Sequence, residues 1–97
     1  GTGVQPTGID YNDISSSVFL FPNPAADRLS MSIENQLVGE VQVRIFSTSG
    51  QLIDYKQFMK NGYQVDYSFN VDSLPSGLFL VEVIMNRSRA VKRFSKQ

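Results

Sequence analysis

Apolar and polar residues alternate along most of the chain that follows residue 17. Alternation with a period of two over four to eight residues is typical of a β-strand with one face in a core and the other in water. The alternation is clearest in residues 29–33, 41–45, 65–71 and 79–85. Three further strands are predicted where it is less regular, at residues 18–21, 51–58 and 89–95. No segment of eleven or more residues has a helical period.

Turn-forming residues separate these predicted strands. They are Pro22-Asn23-Pro24, Thr48-Ser49-Gly50, Asn61-Gly62, Leu74-Pro75-Ser76-Gly77 and Asn86-Arg87-Ser88. Proline cannot donate a ladder hydrogen bond, and glycine accepts the backbone angles that tight turns need. Short strands at this spacing predict an all-β fold, an antiparallel immunoglobulin-like β-sandwich of about seven strands.

The first 17 residues have a different composition. They are rich in glycine and serine, hold two aspartates and contain no basic residue. We predict that residues 1–17 form a flexible linker, part of which could be a cloning remnant, and that residues 18–97 form the folded domain. Because the chain begins with Gly1 rather than Met, we expect it to be a fragment of a longer protein that lies mostly upstream.

The composition argues against most kinds of catalysis. The 97 residues suit one domain and include no cysteine and no histidine, which removes the thiolate nucleophile, the commonest general base and the commonest transition-metal ligands. Nine basic residues balance nine acidic ones, so the net charge does not indicate a nucleic-acid partner. The densest apolar runs are four residues long, far below the ~20 that a membrane-spanning helix needs. We therefore expect a non-catalytic domain without a cofactor or a bound metal.

The acidic residues do not form a recognisable site. Asp66 and Asp72 share a strand face but would lie roughly 20 Å apart in an extended chain, whereas paired catalytic carboxylates lie about 5–10 Å apart. Residues 10–13 begin like a calcium-binding loop, but the glycine and the glutamate that such a loop requires are missing. We interpret this stretch as a solvated acidic segment.

The basic residues are concentrated near residue 97. Five of the nine are Arg87, Arg89, Lys92, Arg93 and Lys96, with no acidic residue among them. These charges could contact phosphate or a lipopolysaccharide head group. The interpretation that we favour is protection of an exposed edge strand against aggregation.

Four motifs in order resemble the C-terminal sorting domains of the type IX (Por) secretion system. Residues 21–29 (FPNPAADRL) are similar to the family's opening motif, and residues 41–53 are similar to its second motif. Residues 71–83 (VDSLPSGLFLVEV) resemble the third motif and residues 92–94 (KRF) the closing one. The sequence departs from the family at Ser47, where aspartate is common, at Gln51, where a basic residue is common, and at Phe21, Phe46 and Phe79, where tyrosine is common.

The resemblance implies a sorting signal rather than an enzyme. Domains of this family direct an upstream cargo in the same chain from the periplasm through the type IX outer-membrane translocon. A sortase-like peptidase then cuts upstream of the domain, and the cargo is attached to surface lipopolysaccharide or released. On this resemblance we expect an exported protein that reaches the outer-membrane surface or the extracellular space, with a processing site within or next to residues 1–17.

The residues expected to carry recognition lie in the matched motifs and in the last strand. They are Pro22, Asn23, Pro24, Gly50, Leu74, Pro75, Gly77, Arg89, Lys92, Arg93, Phe94 and Lys96. The turn geometry alone would also require the prolines and glycines. The last strand, expected at a sheet edge, is the preferred docking element, and a free edge could also pair two copies of the isolated domain into a homodimer.

Two other functions stay open at this stage. One is an adhesive or carbohydrate-binding accessory domain, although the chain has no tryptophan and only Tyr55 and Tyr63 are expected to be exposed among the tyrosines. The other is a structural domain that packs against an upstream catalytic neighbour.

Overall fold

The computed structural model describes residues 11–97, which form eight strands and one short 3-10 helix at Ser15–Ser17. The strands are β1 (Asn12–Asp13), β2 (Val18–Phe21), β3 (Arg28–Glu34), β4 (Gly39–Ser47), β5 (Leu52–Lys60), β6 (Gln64–Asn70), β7 (Gly77–Met85) and β8 (Ser88–Lys96). The seven predicted strands correspond to β2–β8. The short strand β1 has no alternating pattern, so it could not be predicted from the sequence.

The strands form two sheets. One has five strands in the order β1-β8-β7-β4-β5, and the other has three in the order β2-β3-β6. Every pairing is antiparallel except that of β1 with β8, which is parallel. The prediction of an all-β, immunoglobulin-like sandwich is confirmed.

The core lies between the two sheets and is built from the inward-facing residue of each alternating pair. The buried residues are Val18, Ala25, Leu29, Met31, Ile33, Val41, Val43, Ile45, Phe69, Val71, Phe79, Val81, Val83, Met85, Ala90 and Phe94. Aromatic contacts join the sheets, since Phe58 of β5 stacks on Tyr67 of β6 with ring centroids 4.5 Å apart. Full burial of one such aliphatic or aromatic side chain contributes about 1.5–3 kcal/mol, so this set holds the sheets together.

A buried lysine closes one end of the sandwich. Lys60, at the end of β5, has no exposed surface, and its Nζ donates hydrogen bonds to the carbonyl oxygens of Asn35, Leu37 and Gly62 at 2.7, 2.6 and 2.6 Å. Burial lowers the pKa of this ammonium group, because removal from water penalises its charge. Its three donors are nevertheless all satisfied, so Lys60 ties the loop between β3 and β4 to the turn between β5 and β6.

Replacement of Lys60 should destabilise the domain strongly. In Lys60→Met three carbonyl groups lose their shared donor, and we expect the free energy of unfolding to fall by about 3 kcal/mol in urea denaturation. Lys56→Met is the matched control, because Lys56 is on the same strand, is partly exposed and lies 3.9 Å from Asp54. That variant should change stability by less than about 1 kcal/mol. Equal losses in the two variants would contradict a structural role for the Lys60 hydrogen bonds.

Candidate functional site

The four sequence motifs meet at one end of the sandwich. Ser47 pairs with Phe79, Gly77 pairs with Lys96, and Ala25 bridges Lys96. These pairings place the β2–β3, β4–β5 and β6–β7 connections at the same end of the sandwich as the end of β8. We call this surface, made of residues 22–27, 47–51, 71–77 and 93–97, the motif end.

The first and last motifs are joined by backbone pairing. The Ala25 N–H donates to the Ser95 carbonyl and the Gln97 N–H donates to the Ala25 carbonyl, both at 2.8 Å. The Asn23 Oδ1 accepts a hydrogen bond from the Ser95 N–H at 2.9 Å. Pro22 and Pro24, both preceded by cis peptide bonds, flank Asn23 and are exposed. Recognition candidates that are about 70 positions apart in sequence thus form one continuous surface.

The third motif is anchored to the same surface. The Val71 N–H donates to the Asp27 carbonyl at 2.8 Å, which ties the β6–β7 connection to the β2–β3 connection. Leu74 packs against the core, whereas Pro75 is exposed. Gly77 has φ of +143°, a conformation that a side chain would strain, so this glycine is required by the backbone.

The second motif forms the turn between β4 and β5. The Gly50 N–H donates to the Ser47 carbonyl at 3.0 Å, and the Ser47 N–H donates to the Gln51 carbonyl at 2.9 Å. Gly50 has φ of +92°, which favours glycine, and no atom lies within 4 Å of where its Cβ would be. Gly50 is exposed, so it has a backbone role and is also accessible to a partner.

The basic residues of β8 have different environments. Arg89 lies on the outer sheet face and pairs with Glu82 at 2.7 Å. Lys92 points toward the small sheet, where its Nζ donates to the Val18 carbonyl at 3.0 Å. Arg93 is exposed and, within residues 11–97, forms no ion pair.

Only part of the predicted docking strand is therefore available to a partner. Phe94 is fully buried and stacks on Phe79 with ring centroids 5.5 Å apart. Lys96 is partly exposed and its Nζ donates to the Gln97 carbonyl at 3.2 Å. Arg93 and Lys96 are the two predicted recognition residues of β8 that combine exposure with a place at the motif end.

A shallow pocket marks the junction of the first and last motifs. It has a volume of about 310 Å³ and is lined by Asn23, Leu78, Arg93, Phe94 and Ser95. Leu78 is 42% exposed, so an apolar side chain, an amide and a guanidinium face the same space. This combination suits a peptide segment of a protein partner better than a small apolar ligand.

The chain enters the domain at the opposite end. The Asn12 N–H donates to the Arg87 carbonyl at 2.8 Å and the Ile14 N–H donates to the Arg89 carbonyl at 3.1 Å. The Ser15 N–H donates to Asp13, and this hydrogen bond is the main reason why the pKa of the Asp13 carboxyl lies below its ordinary value. Residues 11–17 of the predicted linker thus lie against the sandwich, and residues 1–10 lie outside the described part of the chain.

The outer edge of β8 is only partly open. β1 pairs with its beginning and Ala25 with its end. The sequence had suggested that β8 is the outermost strand of its sheet, and this prediction is wrong because β1 lies outside it. Among residues 11–97, β5 is the long strand at the other edge of this sheet. Pairing of two copies through an edge strand stays a prediction.

The sequence patterns missed several features of this surface. The sequence does not reveal the pairing of Ala25 with Ser95, because the two residues are far apart along the chain. Phe19 and Phe21 are 45% and 50% exposed, although their strand was identified, because a four-residue strand does not reveal which face is buried. Tyr55 and Tyr63, the tyrosines expected to be exposed, are 44% and 61% exposed, but Tyr11, which was not expected to be, is also 38% exposed.

The structure shows neither a membrane-crossing helix nor a metal cluster in its described part. No helix within residues 11–97 is long and apolar enough to span a membrane. Over the same residues, no group of three or more acidic side chains is placed to hold a metal ion.

Comparison with known proteins gives matches of three kinds. Residues 19–97 match the family model of the secretion system C-terminal sorting domain. Ulvan lyase NLR42 from Nonlabens ulvanivorans is 27% identical over 81 residues, which cover 84% of this chain and 14% of that protein. The crystal structure of a β-glucosidase from Kluyveromyces marxianus is similar with a TM-score of 0.53 and 16% identity, over 88% of this chain and 14% of that one. This last likeness concerns the fold alone, and the chain spans only a small fraction of both proteins.

The Asn23 side chain should be needed to fix the end of β8. Asn23→Ala leaves the Ser95 N–H without its acceptor, so we expect faster hydrogen exchange of the Ser95 amide and a stability loss of about 1 kcal/mol. Asn23→Asp keeps an oxygen acceptor and should restore the protection. Unchanged Ser95 exchange in Asn23→Ala would show that this hydrogen bond does not hold the two motifs together.

Proposed function

The chain belongs to the family of secretion system C-terminal sorting domains, and from this premise we propose that its motif end is the surface that the type IX machinery recognises. Membership makes the chain a C-terminal sorting signal that interacts with the type IX system and directs export to the outer-membrane surface or the extracellular space. The proposal concerns the finer steps, namely which surface docks, which component binds it and how the signal is removed.

The backbone pairing of Ala25 with Ser95 and Gln97 is the observation that carries this proposal. It gathers motif residues from distant parts of the chain onto one surface, so a partner can read them together only when the domain is folded. Because β1 enters at the opposite end, an upstream cargo does not have to cover that surface. Both features suit a signal that a translocon binds while the cargo is still attached to it.

Positive charge and exposed apolar surface at the end of β8 characterise the partner that fits this part of the motif end. Arg93 is exposed, Lys96 is partly exposed, and Leu78 contributes apolar area beside Arg93. The acidic residues of the motif end, Asp27 and Asp72, lie together at the β2–β3 and β6–β7 connections. We propose that a translocon component with an acidic and partly apolar surface binds here after the parent has reached the periplasm. Arg89 and Lys92, which already have partners within the domain, would support the fold more than the contact.

Removal of the signal would occur upstream of β1. A peptidase needs an extended and accessible backbone, whereas the Asn12 and Ile14 amides are held by β8. We propose that a sortase-like peptidase cuts before Asn12, after which the cargo is joined to lipopolysaccharide or released. The domain itself is non-catalytic in this scheme, and the similarity to an ulvan lyase supports an exported enzyme as the parent.

Charge reversal at the motif end should block export. The assay uses a fluorescent protein with an N-terminal export signal and this chain at its C-terminus, in a type IX-competent bacterium and in a translocon-null strain. We expect Arg93→Glu combined with Lys96→Glu to lower surface and medium reporter at least tenfold, because the acidic partner is then repelled.

The matched control for this export assay is Arg87→Glu combined with Lys56→Glu, which reverses two charges away from the motif end. It should stay within twofold of the unmodified chain, and urea midpoints of both purified double variants should confirm that they fold. Equal export by the two double variants would rule out the motif end as the docking surface. A complete deletion of residues 92–97 is less informative, since it also removes buried Phe94.

The cleavage site gives a separate prediction. Mass spectrometry of the domain released from the same reporter should locate its first residue at or before Asn12, because the hydrogen bonds to β8 protect the backbone that follows. Release of a fragment that begins within residues 13–17 would contradict the protection of this segment.

A further inference from the structure

Two phenylalanines are exposed on the outer face of the small sheet. Phe19 and Phe21 are adjacent outward positions of β2, with 45% and 50% of their surfaces exposed. Outward positions on one strand are about 6.8 Å apart, so the two rings stand side by side on one face. Burial in the core and packing between strands do not explain them, and together the two rings form one exposed apolar patch.

The residues across from each ring on β3 and β6 are polar. The register places Ser32 and then Asp66 across from Phe19, and Ser30 and then Ser68 across from Phe21. Because Ser30 and Ser68 are small, the Phe21 ring rises above the centre of the sheet and borders a groove between β2 and β6, which are two strand spacings or about 9.6 Å apart. The groove has a volume of about 460 Å³, with Phe21, Ser30, Gln64, Asp66 and Ser68 among its lining residues.

Hydrogen bonds hold the polar side of the groove in fixed directions. The Gln64 Nε2 donates to Asp66 Oδ1 at 3.1 Å and to Ser32 Oγ at 3.3 Å. The Ser32 hydroxyl in turn donates to Glu34 Oε2 at 3.3 Å, and Arg28 Nη1 donates to Ser68 Oγ at 3.4 Å. These groups are thus preorganised before a ligand arrives, which lowers the entropy cost of binding.

The geometry points to a binding site for a neutral glycan on this face, which we call the glycan face (Phe19, Phe21, Ser30, Gln64, Asp66 and Ser68). The apolar C–H face of a pyranose ring packs on Phe21, the ring that lines the groove, and Phe19 extends the apolar surface beside it. The sugar hydroxyls reach the carboxylate of Asp66, the amide oxygen of Gln64 and the hydroxyls of Ser30 and Ser68, which together supply acceptors and donors. Ser32 is buried and holds the Gln64 side chain in place.

The charges select a neutral ligand over an anionic one. Asp66 and Glu34 outnumber Arg28 on this face, so a sulfated or uronic acid polysaccharide is repelled. The outer face of the large sheet differs, because Arg44 and Arg89 flank Glu82 there. This site does not rest on the proposed sorting function, since a glycan could bind whether or not the motif end docks a translocon.

Nuclear magnetic resonance titration of the isotope-labelled chain tests the glycan face. The probes are cellohexaose, laminarihexaose, xylohexaose and mannohexaose, with hexagalacturonate as the anionic comparison. We expect at least one neutral probe to bind with a dissociation constant of about 1 mM or tighter and to shift signals of β2, β3 and β6. Phe19→Ala and Phe21→Ala should each weaken that binding at least tenfold.

Tyr55→Ala is the matched control, because Tyr55 is nearly as exposed as Phe19, at 44%, but lies on β5 of the other sheet. It should leave the glycan affinity within twofold. The proposal is overturned if none of the neutral probes shifts the signals of β2, β3 and β6, or if the phenylalanine variants bind as well as the unmodified chain. It is also overturned if no glycan binds but Phe19→Ala lowers reporter export, which would make the face a protein-docking surface.

Discussion

The pairing of Ala25 with Ser95 and Gln97 is the contact on which the motif end depends. The two hydrogen bonds are each 2.8 Å long, and Ala25 has no exposed surface, so water does not compete for them. They join the connection between two strands of the small sheet to the end of β8 in the large sheet. Asn23 is thereby brought to Ser95. The hydrogen bond from the Val71 amide to Asp27 continues the β3–β6 pairing, in which Arg28 lies opposite Asn70. The short Ala25 ladder thus joins the first motif to the last, and the β3–β6 ladder joins the first motif to the third.

The two ends of the sandwich differ in how far contacts within the chain occupy them. At the far end Lys60 binds three carbonyl groups and β1 enters along β8, so this end is occupied by contacts within the chain. The motif end instead presents exposed prolines, Gly50 and the side chains of Arg93 and Lys96. In this arrangement the upstream chain joins the domain at one end, and the opposite end presents a folded, exposed surface.

Structural roles and the proposed recognition roles overlap in several motif residues. Gly50 and Gly77 have positive φ angles, Leu74 packs on the core and Phe94 is part of the core. Replacing any of these residues changes the fold as well as the surface, which is why a motif pattern alone cannot separate the two roles. Arg93 and Lys96, whose side chains form no hydrogen bond to another motif within residues 11–97, are the positions where the proposed recognition can be tested with little loss of stability.

The strands and the turns could be predicted from the sequence, because alternation and turn preference act between residues that are close along the chain. Composition alone excluded chemistry that needs histidine or cysteine, since the chain contains neither. The resemblance of four motifs also pointed to the family. The tertiary structure alone decided which strands are neighbours, that Lys92 turns inward, that Lys60 is buried and that Phe19 and Phe21 face outward. It also decided that Asn23 meets Ser95, 72 positions away. Such contacts depend on how the two sheets pack, and packing is a property of the whole chain that no local pattern contains.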